Sequence, residues 1–259
     1  MTNIIPIPAF NDNYIWAMHS LEGSDLIVVD PGDAAPVLSY LQNNNLALSH
    51  ILITHHHWDH TGGISPLRER FPMVKVIGPL HDKVAHLTQA VGENDKVTLE
   101  GFGHTLSVLD IPGHTLGHIA YYNDAVLFCG DTLFSCGCGR IFEGTPEQMY
   151  NSLEKIRNLN KNTLVYCGHE YTAANIAFAK AVEPSNKALL AYEEQVLSLR
   201  KQGMPSLPST LSIECETNPF LRCTQSSVIA SVQKQAQINS TSPVTIFAHL
   251  REWKNHFLA

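Results

Sequence analysis

Residues 53–63, ITHHHWDHTGG, contain an unusual density of side chains that bind metal ions. His55, His56, His57, Asp59 and His60 fill five of the six positions from 55 to 60. An isolated histidine is ordinarily a surface residue or a hydrogen-bonded core residue. This many histidines beside an aspartate instead indicate a metal site of imidazole and carboxylate donors, which zinc, iron and manganese accept.

Further candidate ligands follow predicted strands elsewhere in the chain, in DIPGHT, LFCGDT and VYCGHE. Strand ends meet at one edge of a sheet, so donors that are distant in sequence can converge there. The resulting set is His55, His57, Asp59, His60, His114, Asp131 and His169. Seven donors exceed the needs of one tetrahedral ion, so we expect two divalent ions. Asp131 is the natural bridge between them, because an aspartate has two oxygens.

Residues 53–63 are called the ligand loop, and backbone alternation at a strand end predicts how its side chains are arranged. It would place His55, His57 and Asp59 on one side and turn the residues between them away. His60 would follow where the chain turns into two glycines, which open a helix from about Ser65. Asp30, at the end of VVDPG, is expected to orient a loop or a ligating imidazole rather than to bind an ion directly.

The pattern of elements over the first two-thirds of the chain predicts an α/β fold. Strand-like runs occur at 25–32, 49–55, 74–79, 104–115, 125–134 and 163–170, with helices at 34–43 and 146–159. Thr145 is the predicted N-cap of the second helix and Pro146 its first residue. Helical patterns alone follow Glu170, interrupted by a Pro/Ser/Thr-rich connection at 204–219. We therefore predict domains at 1–172 and 173–259.

Composition excludes several classes of partner. The 259 residues carry a net charge of −7 and contain no cluster of Lys and Arg, which argues against nucleic-acid binding. No stretch resembles a signal peptide or a membrane span. The six cysteines form no C-x-x-C pair and are expected to be reduced thiols. We expect a cytoplasmic monomer without a membrane partner.

The motifs together resemble the metallo-β-lactamase superfamily and, over essentially the whole chain, the glyoxalase II family, the hydroxyacylglutathione hydrolases. They are FNDNYIW, VVDPGDA, THHHWDHTGG, PGHTLGH, CGDTLF, GCGRIFEGTPEQM, CGHEYTAANIAFAKAVEP and LREWKNHF. This resemblance implies an αββα sandwich followed by a C-terminal helical domain. It also implies that one ion is held by His55, His57 and His114, and the other by Asp59, His60 and His169, with Asp131 shared.

The family resemblance implies hydrolysis of S-(2-hydroxyacyl)glutathione, above all S-D-lactoylglutathione, to glutathione and D-lactate. This reaction is the second step of methylglyoxal detoxification. The metals would be zinc, with iron or manganese as alternatives. Glutathione would contact Arg140, Phe142, Tyr171, Arg251 and Lys254. Phe142 replaces a tyrosine found in some members, so its contact would be apolar. The i, i+3 spacing of Arg251 and Lys254 places both on one helix face, as a cationic clamp for carboxylate.

Thioester hydrolysis matches the predicted metal site chemically. The thiolate leaves readily, so the reaction needs a nucleophile at neutral pH more than it needs an acid. Metal binding lowers the pKa of water from about 15.7 towards 7, so we expect a hydroxide shared by the two ions to attack. Asp59 and Asp131 would then be the catalytic carboxylates. The chain has no Gly-x-Ser-x-Gly motif for a serine nucleophile.

Three alternatives share this type of site. Persulfide dioxygenases have the same fold and act on glutathione persulfide with one iron, but they resemble only the first two-thirds of the chain. A phosphodiesterase acting on nucleic acid would need a basic surface, which is missing here. A binding-only metalloprotein is disfavoured, because structural metal sites are closed whereas the inferred site keeps open positions.

Overall fold

Two mixed sheets face each other in the computed structural model, which describes residues 3–21 and 23–258. The first sheet contains, in spatial order, β1 (Ile4–Ala9), β2 (Asn13–His19), β3 (Asp25–Val29), β4 (Ala47–Leu52), β5 (Lys75–Pro79) and β6 (Gln89–Val91). The second contains, in chain order, β7 (Lys96–Leu99), β8 (His104–Asp110), β9 (Ile119–Tyr122), β10 (Val126–Gly130), β13 (Leu164–Cys167) and β14 (Ser209–Thr210). A short hairpin of β11 (Leu133–Phe134) and β12 (Gly137–Cys138) lies between β10 and β13 in the chain.

Helices cover the outer faces of both sheets. The described helices are α1 (Ala34–Asn44), α2 (Trp58–Thr61), α3 (Ile64–Arg70), α4 (Pro146–Arg157), α5 (Thr172–Val182), α6 (Lys187–Lys201), α7 (Leu211–Thr217), α8 (Ser226–Ala236) and α9 (Pro243–Asn255). A 3-10 turn at Pro219–Leu221 follows α7. The predicted αββα sandwich with a helical C-terminal region is therefore confirmed.

Alternation of side chains along β3 sorts the core into two layers. Ile27 and Val29 point between the sheets and join a cluster with Phe128 of β10. Leu26 and Val28 point to the opposite face and pack with Val37 of α1 and other residues of α1 and α3. A strand buried on both faces reads as a continuous apolar run, which is why LIVV is a strong strand signal.

Several predicted elements are confirmed, with shifted ends. Helix α4 begins at Pro146 after the cap at Thr145, whose side chain accepts from Gln148 N while the Gln148 side chain accepts from Thr145 N. The predicted strand at 125–134 is wrong as one element, because the chain turns at Gly130–Asp131 and starts the separate strand β11. That turn lets Asp131 leave the sheet.

The C-terminal region departs from the prediction in the stretch read as an irregular connection. Residues 204–219 contain β14 and helix α7, and β14 pairs antiparallel with β13 of the second sheet. Serine and threonine suggested a loop, but Thr210 is the N-cap of α7 and accepts from Ile213 N. Among the described residues, no helix is long and apolar enough to span a bilayer.

Tyr121 fastens the two sheets together just before the ligand loop. Its buried hydroxyl, on β9, donates to the carbonyl oxygens of Ile53, just after β4, at 2.9 Å and of Ile77, on β5, at 3.1 Å. Burial holds the pKa of Tyr121 well above its usual value, so the hydroxyl stays a donor. The start of the ligand loop is thereby fixed against the second sheet.

We predict that Tyr121→Phe lowers the free energy of unfolding by about 1–2 kcal/mol, because a buried carbonyl is left without its donor. Urea titration of proteins with equal metal content measures the loss. Tyr122→Phe is the matched control, since the hydroxyl of Tyr122 has no described hydrogen bond. Equal stability of the two variants would contradict this role.

Candidate active site

The ligand loop is built differently from the predicted strand extension. β4 ends at Leu52, and Asp59 and His60 lie in the short helix α2. Asp59 is therefore presented by a helical turn and not by strand alternation. The following Gly62 packs against Gly32, because a Cβ there would lie 2.6 Å from the carbonyl oxygen of Gly32. A side chain at this glycine would push the loop away from the sheet.

The first group of donors consists of three histidines. His55 Nε2 lies 3.2 Å and His114 Nε2 lies 3.0 Å from His57 Nδ1. The three donor nitrogens all lie within 4.8 Å of one another. His56 turns away, as expected, and its Nδ1 lies 2.8 Å from Asp82 Oδ1. Three imidazoles facing a common point form the half-shell that a tetrahedral metal ion occupies.

The second group of donors combines a carboxylate with two histidines. Asp59 Oδ2 lies 3.6 Å from His60 Nε2 and 3.5 Å from His169 Nε2. These atoms also fall within 4.8 Å of one another. Asp59 and His60 come from the ligand loop, and His169 follows β13. His60 and His169 are 109 positions apart in the chain.

Asp131 lies between the two groups. Its Oδ1 is 3.4 Å from His60 Nε2, while its Oδ2 is 3.2 Å from His169 Nε2 and 3.6 Å from His114 Nε2. Burial alone would raise the pKa of Asp131, but His60 and His169 hold it well below its usual range. The carboxylate is thus ionised and faces both donor groups.

The unpaired atoms of the site fit bound cations. His60 Nε2 and Asp131 Oδ1 are buried and have no hydrogen-bond partner within the described part of the chain. An orphaned buried donor or acceptor is costly, and a metal ion removes that cost by accepting both lone pairs. Burial also lowers the pKa of His55 well below its usual value, which keeps this imidazole in the neutral, metal-binding form. The His/Asp clusters thus form a dinuclear site for divalent metal ions.

The ring nitrogens that face away from this centre are held by other segments of the chain. His60 Nδ1 contacts Asp30 Oδ2 at 3.0 Å, and Asp30 also accepts from the backbone and hydroxyl of Thr54. His114 Nδ1 contacts the carbonyl oxygen of Arg140 at 2.8 Å. Such partners fix the orientation and tautomer of an imidazole and make it a better ligand.

Three positioning residues were not recognised from the sequence. Asp12 Oδ1 lies 2.8 Å from His169 Nδ1, and Asn13 Nδ2 donates to Asp59 Oδ2 at 3.1 Å. His118 stacks on His55 and accepts from the backbone N–H of Asp131 at 3.2 Å. The motif FNDNYIW contains Asp12 and Asn13, but nothing in its spacing points to the donors they hold.

A cavity of about 420 Å³ opens beside His114 and Asp131. The five residues proposed for glutathione line it, namely Arg140, Phe142, Tyr171, Arg251 and Lys254. We call it the Lys254 cavity. The exposed ring of Phe142 meets the rings of His57 and His114 edge to face, with centroids 5.6 and 5.2 Å apart. Tyr171 stacks on His169 at 4.7 Å. Aromatic rings thus connect this cavity to both donor groups.

The two cations of the predicted clamp differ in their surroundings. Arg251 is only 6% exposed, and its Nη1 donates to the carbonyl oxygens of Cys138 at 2.7 Å and Gly139 at 3.4 Å. Its charge is therefore partly used inside the protein. Lys254 lies over the Phe178 ring, and its Nζ donates to the carbonyl oxygen of Ala174 at 3.3 Å. Lys254 retains more capacity for a ligand.

Comparison with known proteins first identifies the superfamily to which the chain belongs. Residues 14–169 match the model of the metallo-beta-lactamase superfamily. Among solved structures, that of ETHE1 from Myxococcus xanthus aligns with a TM-score of 0.65 at 22% identity, covering 96% of each chain. BLEG-1 B3 metallo-beta-lactamase aligns with a TM-score of 0.62 at 24% identity, over 85% of this chain and 99% of that one. At such identities, these structures establish the fold.

The rest of the chain and its curated relatives identify the family within that class. Residues 170–257 match the model of the hydroxyacylglutathione hydrolase C-terminus. Proteins named hydroxyacylglutathione hydrolase are 55% identical in Vibrio campbellii, covering 99% of this chain and 100% of that protein, and 49% identical in Nitrosomonas europaea, covering 99% and 97%. The chain belongs to the hydroxyacylglutathione hydrolase family.

We predict that Asp12→Ala weakens binding of the ion held by His169 by about 10–100-fold, because the imidazole loses the acceptor that orients it. Metal titration against a competing chelator measures both sites, and the ion beside His114 should bind as before. Asp12→Asn should restore much of the affinity, since its amide oxygen still accepts. Exposed Asp124→Ala serves as the control. An unchanged affinity in Asp12→Ala would refute the role.

Proposed function

We propose that this protein is a metal-dependent thioester hydrolase that converts S-(2-hydroxyacyl)glutathione to glutathione and a 2-hydroxy acid, with the S-D-lactoyl thioester as substrate. The observation that carries the proposal is the position of Asp131, which faces both donor groups and borders the Lys254 cavity. A thioester bound in that cavity would have its carbonyl beside the donors. The full-length relatives named for this reaction support the same activity.

We infer that two zinc ions occupy the site. His55, His57 and His114 would hold one and Asp59, His60 and His169 the other, with Asp131 between them. When bound, the ions would supply an activated water and positive charge for the thioester oxygen. Borderline ligands such as imidazole accept several metals, so the choice among zinc, iron and manganese follows availability as well as affinity.

The protein side chains orient and shield the reacting groups in this scheme. Asn13 holds Asp59 by donating to its Oδ2, which fixes the carboxylate that we propose as catalytic beside Asp131. Phe142 packs edge to face against His57 and His114 and borders the Lys254 cavity, where it offers the substrate an apolar contact. No described side chain needs to protonate the leaving group, because a thiolate leaves without one.

We propose that the division of labour follows the sequence boundary at 172, with residues 1–172 supplying the metal ligands and residues 173–259 supplying the cationic end of the substrate cavity. Arg251 and Lys254 belong to α9, while every proposed ligand precedes the boundary. Persulfide dioxygenase activity is the less supported alternative, because residues 170–257 match the C-terminal model of the hydrolase family.

Thiol release from S-D-lactoylglutathione, measured together with metal content, tests the function. We expect about two ions per chain and rapid release of one thiol per substrate. Asp131→Ala should lose both ions together, whereas His114→Ala should weaken mainly one, because Asp131 faces both groups and His114 only the first. Absence of thiol release from a protein with both sites filled would overturn the proposal, and saturation at one ion would overturn the dinuclear assignment.

A pH dependence follows from the surroundings of Lys254. Burial and the nearby charge of Arg251 lower the pKa of Lys254 to about 8. The ammonium is therefore charged below this pH and neutral above it, and its attraction for glutathione carboxylate is lost as the pH rises.

We predict that the KM for S-D-lactoylglutathione rises several-fold between about pH 7 and about pH 9, because the clamp loses its charge in this range. Lys254→Arg should flatten the rise, since arginine stays protonated. A small thioester without glutathione carboxylates should show no such step. The same step in Lys254→Arg as in the unmodified protein would assign the titration to another group.

A further inference from the structure

A second cavity borders the other donor group. It measures about 450 Å³ and is lined by Phe10, Asn11, Trp58, Asp59, His169 and Tyr171, among others. We call it the Phe10–Trp58 cavity. The Lys254 cavity borders His114 and Asp131, whereas this one borders Asp59 and His169, and Tyr171 borders both. The two cavities therefore flank the proposed dinuclear centre at different ends.

Two exposed aromatic side chains form one wall of the second cavity. Phe10 is 47% exposed and Trp58 is 68% exposed, although both are large and apolar. Their rings contact each other edge to face with centroids 5.0 Å apart. Apolar surface beside a polar reaction site is typical of a place where a ligand is bound.

The backbone holds this aromatic wall in a strained arrangement. Phe10 has a φ of +50°, a left-handed conformation that is uncommon and sterically strained for a bulky residue. A Cβ on Gly32 would lie 2.9 Å from the Phe10 ring and 1.8 Å from the carbonyl oxygen of Asp59. The Phe10 ring and helix α2 therefore both pack against this glycine. The fold fixes the ring beside a proposed metal ligand at an energetic cost.

The shape of a thioester indicates which part of the substrate the Phe10–Trp58 cavity would hold. Its carbonyl carbon carries two arms, the sulfur arm of glutathione and the acyl group. The Lys254 cavity supplies the cations that suit the carboxylates of glutathione, so the acyl arm is left with the other end of the centre. Aromatic rings there offer it apolar contact and edge-to-face packing.

We propose that Phe10 and Trp58 form the acyl-binding subsite and favour 2-hydroxyacyl groups that carry an aromatic or large apolar substituent. The inference rests on the proposed thioester hydrolase function and adds to it a preference among acyl groups larger than lactoyl. Small acyl groups such as lactoyl reach the aromatic wall with little surface, so their hydrolysis depends on it weakly.

The test compares two substrates that share the glutathione arm, S-D-lactoylglutathione and the thioester of glutathione with 2-hydroxy-2-phenylacetic acid. Trp58→Ala should lower kcat/KM for the phenyl substrate about tenfold and for the lactoyl substrate less than about twofold. Trp58→Phe should restore most of the phenyl activity. Phe142→Ala is the matched control, because this exposed ring lines the glutathione side and its loss should lower both substrates by the same factor.

Metal content is measured on every variant, because Trp58 lies beside Asp59 in α2. Should Trp58→Ala bind less metal, Phe10→Asn decides the question, since asparagine tolerates the left-handed backbone while removing the ring. Equal effects on the two substrates at intact metal content, or no effect on either, would overturn the subsite. If the unmodified, fully loaded protein released thiol from neither substrate, the proposed function itself would be wrong and the subsite would fall with it.

Discussion

The buried, ionised carboxylate of Asp131 is the constraint on which the rest of the site depends. A carboxylate removed from water is unstable unless positive charge or hydrogen bonds compensate it. Here, the Nε2 atoms of His60 and His169 lie 3.4 and 3.2 Å from its two oxygens, and the backbone N–H of Asp131 donates to His118 Nε2 at 3.2 Å. Cations bound at the two donor groups would compensate the carboxylate charge. The turn at Gly130 that carries Asp131 out of the sheet leaves no room for a side chain, because a Cβ would lie 2.3 Å from Thr54 Oγ1. The residues packed around Asp131 therefore form an environment suited to cations.

The histidines around Asp131 are themselves held by residues farther from the centre. Three of the imidazoles point one nitrogen toward the centre and are oriented through the other, by Asp30 for His60, Asp12 for His169 and a backbone carbonyl for His114. These partners come from the ends of three different strands or loops. The geometry of the centre is thus a property of the whole sandwich edge, and loosening one loop disturbs ligands that are far away in sequence.

The C-terminal helices also hold the segment that follows Asp131. Asn218 donates to the carbonyl oxygens of Phe134 and Gly137, and Glu214 accepts from the backbone N–H of Cys136. Arg251 continues this contact by donating to Cys138 and Gly139. The helices that line the Lys254 cavity therefore stabilise the hairpin beside the proposed metal ligands, which explains why Arg251, expected only to bind substrate, is almost fully buried.

Local sequence signals were sufficient for the main elements and for the donor set. The cap at Thr145 and the apolar run LIVV predict α4 and β3 because capping and strand patterning act over a few residues. The histidines and aspartate of residues 53–63 and the residues after three further strands gave seven candidate donors, whose side chains the fold brings together. Short-range patterns fail at 204–219, where strand β14 and helix α7 form against the sheet although the composition suggested a loop.

Tertiary structure alone decided how the donors are oriented and where the two cavities open beside them. Asp12 meets His169 across 157 positions, and Phe10 meets Trp58 across 48 positions (10 to 58). The helical presentation of Asp59 likewise depends on packing of the ligand loop on Gly32. A side chain's type limits which bonds it can make, so the sequence determined the chemistry of the centre. Which partner each side chain meets depends on the path of the backbone, and that path is set by burial of the two sheets against each other.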